Sequence, residues 1–337
     1  MDPAAQSVMQ IARGYQLSQA LYVAAKLGVA DVLAAQPLAA EAIAHAVGAR
    51  ALQLRRVLRA LVAAGVFCEL DDGRFGSNDA AAVLRAGAPG GMCDIVVSFG
   101  DEMYRSFGEL LHTVRTGETA FDSVYGAPLF EYYAANPETE ARAAARMLAR
   151  TLPAAREFAA SDVLRGARTV VDVGGGTGTL VAEVLRQRPE TAGVLLERPG
   201  MLELAKRYLA EQGVADRCEL VEGDFFSSVP AGGDVYVLKS VLHDWDDDRC
   251  VAILRSCRAA MDDTARLVIV ELSLPERMTP SAQMLSAALL DLIMLAYAGG
   301  RERTETEFVQ LLSQAGLRLA STTALTAGPH LLEAVAA

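Results

Sequence analysis

A glycine-rich turn, two carboxylates and one histidine mark the points of this chain where chemistry could be done. The turn lies in Val170-Val171-Asp172-Val173-Gly174-Gly175-Gly176-Thr177-Gly178. This apolar, β-branched run stops at glycines and passes at once into helix-like sequence from Leu180 to Arg188. An open α/β sheet forms a nucleotide site in this way. A dinucleotide fingerprint spaces its glycines G-x-G-x-x-G, so that pyrophosphate meets a helix N-terminus. Here the pattern is Gly174-x-Gly176-x-Gly178, with the third glycine one position early and Asp172 just ahead of the loop. Such an acid repels a phosphate and suits a cation. Glu197 follows roughly 20 residues on, where a carboxylate can accept hydrogen bonds from ribose hydroxyls. Asp224-Phe225, after Gly223, sets an acid beside an aromatic, a pair able to hold an adenine amino group and its ring face. Each of these acids, taken singly, is as readily a solvated carboxylate on a loop. Together, at successive strand ends, they describe an adenosine pocket without a phosphate binder. That fits S-adenosylmethionine better than a nicotinamide dinucleotide.

The chain has four histidines. His45 falls in alanine-rich helical sequence, His112 in a mid-chain helix, and His330 at the start of the last strand, all places where a structural or exposed histidine is expected. His243, in Lys239-Ser240-Val241-Leu242-His243-Asp244-Trp245, follows a strand and so sits on the same sheet edge as the glycine turn. Asp246, Asp247 and Asp248 read as an N-cap and first turn of the next helix. No two histidines stand at metal-ligand spacing, so no metal site is expected.

The elements that must position these residues change character near residue 160. Before it the sequence is almost all helical, with a loop expected at residues 89–91. Leu54, Val57, Leu58, Leu61 and Val62 make one stripe, and Asp71-Asp72-Gly73 turns a short hairpin, together a winged-helix pattern. After it, β-branched runs at Thr169–Val173, Gly193–Glu197, Glu219–Glu222, Asp234–Lys239 and Leu267–Glu271 alternate with helices, which implies a parallel sheet covered on both faces. Leu317–Ala324 and His330–Val335, joined by a short turn, must be antiparallel. The expected fold is α/β, with domains at 1–160 and 161–337. The 337 residues carry a net charge of −11, which argues against nucleic acid even though Arg50, Arg55, Arg56 and Arg59 lie on what would be the recognition helix of the winged-helix pattern. The acidic start Met1-Asp2-Pro3 does not read as a signal peptide, no apolar run is long enough for a bilayer, and the five scattered cysteines suit a reduced, cytoplasmic protein without a membrane partner.

The motifs Val171-Asp172-Val173-Gly174-Gly175-Gly176, Leu196-Glu197-Arg198-Pro199, Gly223-Asp224-Phe225-Phe226, His243-Asp244-Trp245 and Gly299-Gly300-Arg301-Glu302-Arg303-Thr304 give the chain a further identity. In this order they resemble the plant caffeic-acid-type O-methyltransferases, in particular the bacterial branch acting on mitomycin- and anthracycline-like compounds. The second half looks like the Rossmann-like class I methyltransferase fold. The resemblance implies S-adenosylmethionine as cofactor, S-adenosylhomocysteine as product, and a hydroxyl of an aromatic small molecule (a phenol or hydroxyquinone) as acceptor. It implies His243 as general base, flanked and oriented by Glu271 and Glu302. Asp172, Gly174, Gly176, Glu197, Arg198, Gly223, Asp224, Phe225 and Lys239 would serve the cofactor. The acceptor would meet Met103, Tyr104, Phe107, Phe130, Met147, Asp244, Met294 and Tyr297, although such a stripe is also what plain core looks like. A histidine of ordinary pKa, about 6.5, would suit a phenol near neutral pH. The helical half would form a homodimer. Alternatives are the same scaffold turned to hydroxylation, decarboxylation or a pericyclic step, and a winged-helix ligand-binding regulator.

Overall fold

The computed structural model describes residues 2–88 and 91–337. Pro89 and Gly90, within the expected loop at 89–91, lie outside the described residues. Two compact units divide the chain, Met1–Gly108 and Glu109–Ala337.

The first unit is built on α1 (Pro3–Lys26), α2 (Ala40–Ala46) and α3 (Ala51–Ala63), followed by a hairpin that pairs Cys68–Glu69 with Phe75–Gly76. Leu54, Leu58 and Leu61 recur at helical spacing and are buried, while Val57 and Val62 pack at the margin of the same core. Arg55 and Arg59 lean onto Glu69 of the hairpin, so two of the arginines on α3 already have a carboxylate partner. Val8, Ile11 and Tyr15 on α1 are exposed.

In the second unit Val170, Val171 and Val173 are fully buried on both faces of their strand, as the centre of a parallel sheet requires. They belong to β1 (Thr169–Val173), joined by β2 (Ala192–Glu197), β3 (Cys218–Glu222), β4 (Val235–Lys239), β5 (Arg266–Glu271), β6 (Leu317–Ala324) and β7 (His330–Ala336). These bounds match the expected runs to within about one residue at each end, inside the scatter of any helix or strand assignment. The sheet order is β6-β7-β5-β4-β1-β2-β3, with β7 running against its neighbours. Strand order therefore reverses between β1 and β4, and the crevice beyond their C-terminal ends is where open α/β sheets bind ligands.

Around this sheet lie α4 (Pro137–Ala160), α5 (Thr179–Gln187), α6 (Pro199–Glu211), α7 (Asp247–Ala260), α8 (Ala282–Ile293) and α9 (Glu305–Gln314). One face of the sheet buries Ile253, Leu254, Phe308 and Leu312 against Tyr236 and Leu238. The other buries Ala155, Phe158, Leu180 and Val184 against Val170 and Val235. That second core explains why the units do not divide near residue 160. The alternating pattern begins there, but α4 already packs on α5 and shares a core with β1, and the helical segments Leu110–Thr116 and Ala120–Tyr125 pack on the turn Met294–Ala298, so the compact unit reaches back to Glu109. Asp246 caps α7 by accepting the Arg249 N–H, with Asp247 and Asp248 in its first turn, as the acidic run implies. Among the described residues no helix is long and apolar enough to cross a membrane.

Candidate active site

β4 ends at Lys239, and Ser240 then takes a left-handed conformation at φ 53°, unusual for a residue with a side chain. Strain of this kind persists only where the surroundings over-determine it. A single 3₁₀ turn, Leu242–Asp244, comes next and presents His243. Three groups fix the turn. One oxygen of the buried Glu271, at the end of β5, accepts the N–H groups of Val241 (3.0 Å), Leu242 (2.7 Å) and His243 (3.3 Å). The Arg303 guanidinium, fully buried, donates to the carbonyls of Leu242 (3.0 Å) and Trp245 (2.8 Å) and to Asp247. Gly300 lies so close beneath that a Cβ there would run into the His243 carbonyl oxygen and stand 2.7 Å from the Trp245 nitrogen. The glycine at this position is thus a requirement of packing at the turn.

The His243 ring is held by Glu302, whose Oε1 lies 2.8 Å from Nδ1. Glu302 is itself placed by its backbone N–H, which donates to Asp291 at 2.8 Å. A carboxylate accepts, so Nδ1 carries the proton and Nε2 is left to exchange one. Asp244 approaches Nε2 at 3.7 Å, close enough for charge but not for a hydrogen bond. The two acids that the sequence places around His243 therefore divide the work. Glu302 touches the ring, whereas Glu271 reaches the backbone of the turn.

Burial alone would lower the His243 pKa, but the Asp244 charge, the Glu302 hydrogen bond and the charge of Glu271 outweigh it and raise it to about 9. This departs from the ordinary value expected from sequence, because three carboxylates surround one imidazole. Burial raises the Glu271 carboxyl, reinforced by Glu302 and opposed by His243. Burial likewise raises Asp244. Lys239 is brought down to about 8 by burial and by the Arg150 charge, and its Nζ donates to Thr151 on α4 at 2.8 Å.

The glycine turn forms the other half of the site. Gly174 has φ 69°, and a Cβ on it would press the Phe225 ring at 3.1 Å and Val241 at 3.2 Å. Glu197, at the tip of β2, accepts the Gly176 N–H at 3.1 Å and the Arg198 N–H at 2.8 Å, which binds the loop to the acid. Burial raises its pKa. Asp224 is exposed and caps the Phe226 N–H at 2.9 Å, with Gly223 ahead of it. Asp172 has no exposed surface: it lies under Gly175, neither oxygen has a hydrogen-bond partner of good geometry, and burial pushes its carboxyl up to about 7 against a weaker pull from the Val181 N–H. It supports the loop from below. A narrow backbone cradle walled by an aromatic ring and edged by acids fits an adenosine moiety.

Phe130 stacks on Trp245 at 5.6 Å between ring centroids and lies beneath the Arg198 guanidinium at 5.3 Å. Trp245 also meets Phe225 and Phe226 edge-on, so one aromatic wall links the glycine turn to the His243 turn. Met294 and Tyr297 belong to a π-helical turn, Met294–Ala298, which packs on the His243 turn, and the Tyr297 hydroxyl meets that of Tyr133 at 2.9 Å. Met147 is half-buried on α4. Met103, Tyr104 and Phe107 fall in the first unit, buried, exposed and half-buried respectively. Sequence reasoning missed the bridging role of Trp245, although it is the sole tryptophan of the chain, and the Arg303 clamp. It also passed over Arg146 and Arg150, which only the packing of α4 brings to the sheet edge.

A family model described as an O-methyltransferase domain matches residues 107–318, and one described as an O-methyltransferase dimerisation domain matches residues 9–86. The chain belongs to the O-methyltransferase family. This O-methyltransferase is 42% identical to a phenazine O-methyltransferase of Lysobacter antibioticus over 98% of its own length and 96% of the relative's. It is 40% identical to a mitomycin biosynthesis 6-O-methyltransferase of Streptomyces lavendulae, over 97% and 93%. Among solved structures it matches an O-methyltransferase of neocarzinostatin biosynthesis, in complex with S-adenosylmethionine and 2-hydroxy-5-methyl naphthoic acid, with a TM-score of 0.85, 33% identity and coverage of 95% and 96%. The methyltransferase match begins beside the border between the two compact units, at residue 107 against Glu109.

Proposed function

We propose that this O-methyltransferase transfers the methyl group of S-adenosylmethionine to a hydroxyl of an aromatic small molecule, leaving S-adenosylhomocysteine, with His243 as general base. The relatives carry the acceptor class: a phenazine, a mitomycin and a naphthoic acid are what their names record. The observation that carries the base is the buried His243–Glu302 pair beside the glycine turn.

When bound, S-adenosylmethionine supplies a methyl group already activated by its positive sulfur. The protein must then place the acceptor hydroxyl in line and take its proton. Placement can supply up to about 7–11 kcal/mol of barrier reduction, and a positioned base roughly 10²–10⁴-fold in rate. In its neutral form His243 accepts the hydroxyl proton at Nε2; because its pKa is raised to about 9, that form gains as pH climbs towards this value, and the rate should rise with it. The Glu302 carboxylate holds Nδ1–H and stabilises the imidazolium that forms, and Glu271 keeps the turn rigid through its three N–H bonds. Gly174, Gly176, Glu197 and Arg198 cradle the ribose side, Gly223, Asp224 and Phe225 the adenine side, and Lys239 the end nearest the base. Phe130, Met147, Asp244, Met294 and Tyr297 would meet the acceptor.

We further place the protein as a homodimer. The dimerisation-domain match covers α1, whose Val8, Ile11 and Tyr15 stay exposed, and a second copy would cover them. Light scattering reporting a monomer at micromolar concentration would count against this. For the reaction, labelled S-adenosylmethionine is incubated with a panel of phenols and hydroxyquinones, and products are weighed by mass spectrometry. Methyl ethers in the wild type, lost in His243→Ala, are expected. Wild-type turnover in that variant at neutral pH would remove His243 as base.

A further inference from the structure

The chemistry above leaves one buried charge unused. Arg146, on α4, is 8% exposed, yet among the described residues it makes no hydrogen bond or ion pair. None of its nitrogens is a fully buried atom without a partner, so the stem is buried while the guanidinium keeps a narrow opening to solvent. Arg150 follows one helical turn later on the same face. Its side chain is solvent-accessible but crowded by protein atoms, and that crowding together with Arg146 lowers its pKa. Neither arginine is spent on an internal carboxylate. The next residue, Thr151, accepts the Lys239 Nζ bond at 2.8 Å and so fixes this stretch of α4 over the end of β4, four residues before His243. The charge of Arg146 reaches Asp244, and that of Arg150 reaches Asp244, Glu302 and Lys239. The pair thus faces the base side of the crevice.

Two fixed guanidinium groups without internal partners form a receptor for a planar, bidentate anion. We propose that Arg146 and Arg150 receive a carboxylate borne by the acceptor, so that the preferred substrates are hydroxyaryl carboxylic acids. This rests on the reading that the acceptor binds at the His243 turn. The amino-acid carboxylate of the cofactor shares the same chemistry. The base-side placement of the arginines favours the acceptor, and cofactor affinity distinguishes the two.

The test uses the full-length protein and matched acceptors: hydroxybenzoic and hydroxynaphthoic acids, their methyl esters, and the parent phenols and naphthols. The wild type is expected to favour each acid over its ester in kcat/KM. In Arg146→Gln, and separately in Arg150→Gln, the acid should lose roughly ten- to hundredfold more than the ester, chiefly through KM, the size expected of a charge-assisted hydrogen bond. Arg146→Lys, which keeps the charge without the fork, should recover part of the preference. Equal losses on acid and ester overturn the proposal. So does a weakened S-adenosylmethionine affinity by calorimetry with an intact acid preference, which would assign the pair to the cofactor carboxylate. A wild type that methylates phenols and esters without preferring acids sinks the carboxylate subsite alone. One that methylates no member of any series sinks the reading of the reaction with it. Should Arg146→Gln fail to fold, Arg150→Gln at the accessible position gives the same readout.

Discussion

Glu302→Gln isolates the electrostatic part of the site, because glutamine keeps the size and one hydrogen bond but removes the charge. Glu302 raises the His243 pKa by its hydrogen bond and its charge, alongside Asp244 and Glu271, to about 9. The sign depends on which form gains: the carboxylates favour the imidazolium, so removing one of them must lower the pKa. Each pH unit is about 1.4 kcal/mol of preference for the imidazolium, and a hydrogen bond to a charged group is worth about 1.5–3 kcal/mol, so a fall of about one pH unit or more is expected. The same bond stabilises the imidazolium formed during transfer. Its loss should cost about 10- to 150-fold in kcat at a pH where His243 is neutral in both proteins. The His243 Cε1–H signal, assigned by its absence in His243→Ala, can be titrated by NMR in cofactor-free protein. The wild type should titrate near 9 and the variant lower. An unchanged midpoint together with unchanged kcat would refute the assignment of Glu302 as the group that holds and charges the base.

Other substitutions probe the remaining parts of the site. His243→Ala should lower turnover by about 10²–10⁴-fold while calorimetric S-adenosylmethionine affinity stays nearly intact; a matching loss of affinity would mean that the residue serves the cofactor. Glu197→Ala removes the acceptor of the Gly176 and Arg198 N–H groups. It should weaken cofactor binding, and equal affinity would dismiss the ribose role. Because His243 is raised from its ordinary value, it stabilises the fold fully below about pH 6.5, and that contribution fades as pH climbs through about 9. Thermal unfolding should therefore fall more steeply over this window in the wild type than in His243→Ala, and parallel curves would contradict the raised value.

What the sequence made legible was local. The strand ends, the glycine turn and the Asp246 cap each declare themselves within about ten residues, because β-branched runs, turn chemistry and capping act at that range. Glu197 was placed by its distance from the glycines, and His243 by its position after a strand. The duties of the acids were not legible. Glu271 stands 28 residues from the His243 N–H it binds and Glu302 59 residues from the ring it binds, so no periodicity links them. Nothing in one dimension signals that His243 is driven to about 9, since that arises from Asp244, Glu302 and Glu271 converging in a place with little water. Nor is it visible that α4 belongs with the sheet, because a helix packed against α5 looks, in sequence, like any other helix before the first strand.

Gly300→Ala joins these scales. The turn that carries His243 is held from above by Glu271 and from the side by Arg303. The approach of Gly300 leaves no volume for a methyl group, with the His243 carbonyl oxygen in its way and the Trp245 nitrogen at 2.7 Å from the added carbon. These are backbone atoms of a turn already committed to three N–H bonds, so the clash cannot be relieved by a side-chain rotation. Either the turn shifts and breaks its bonds to Glu271, or the segment carrying Glu302 moves away and lengthens the bond to the ring. Both routes separate His243 from one of its acids, so turnover should fall by at least about tenfold, the loss that goes with forfeiting one charge-assisted hydrogen bond. The His243 midpoint should fall at the same time, which plain destabilisation of the fold would not produce. A Gly300→Ala protein with wild-type kcat and a wild-type His243 titration would show that the turn tolerates displacement, and that the Glu271 and Arg303 clamps do not set the position of the base.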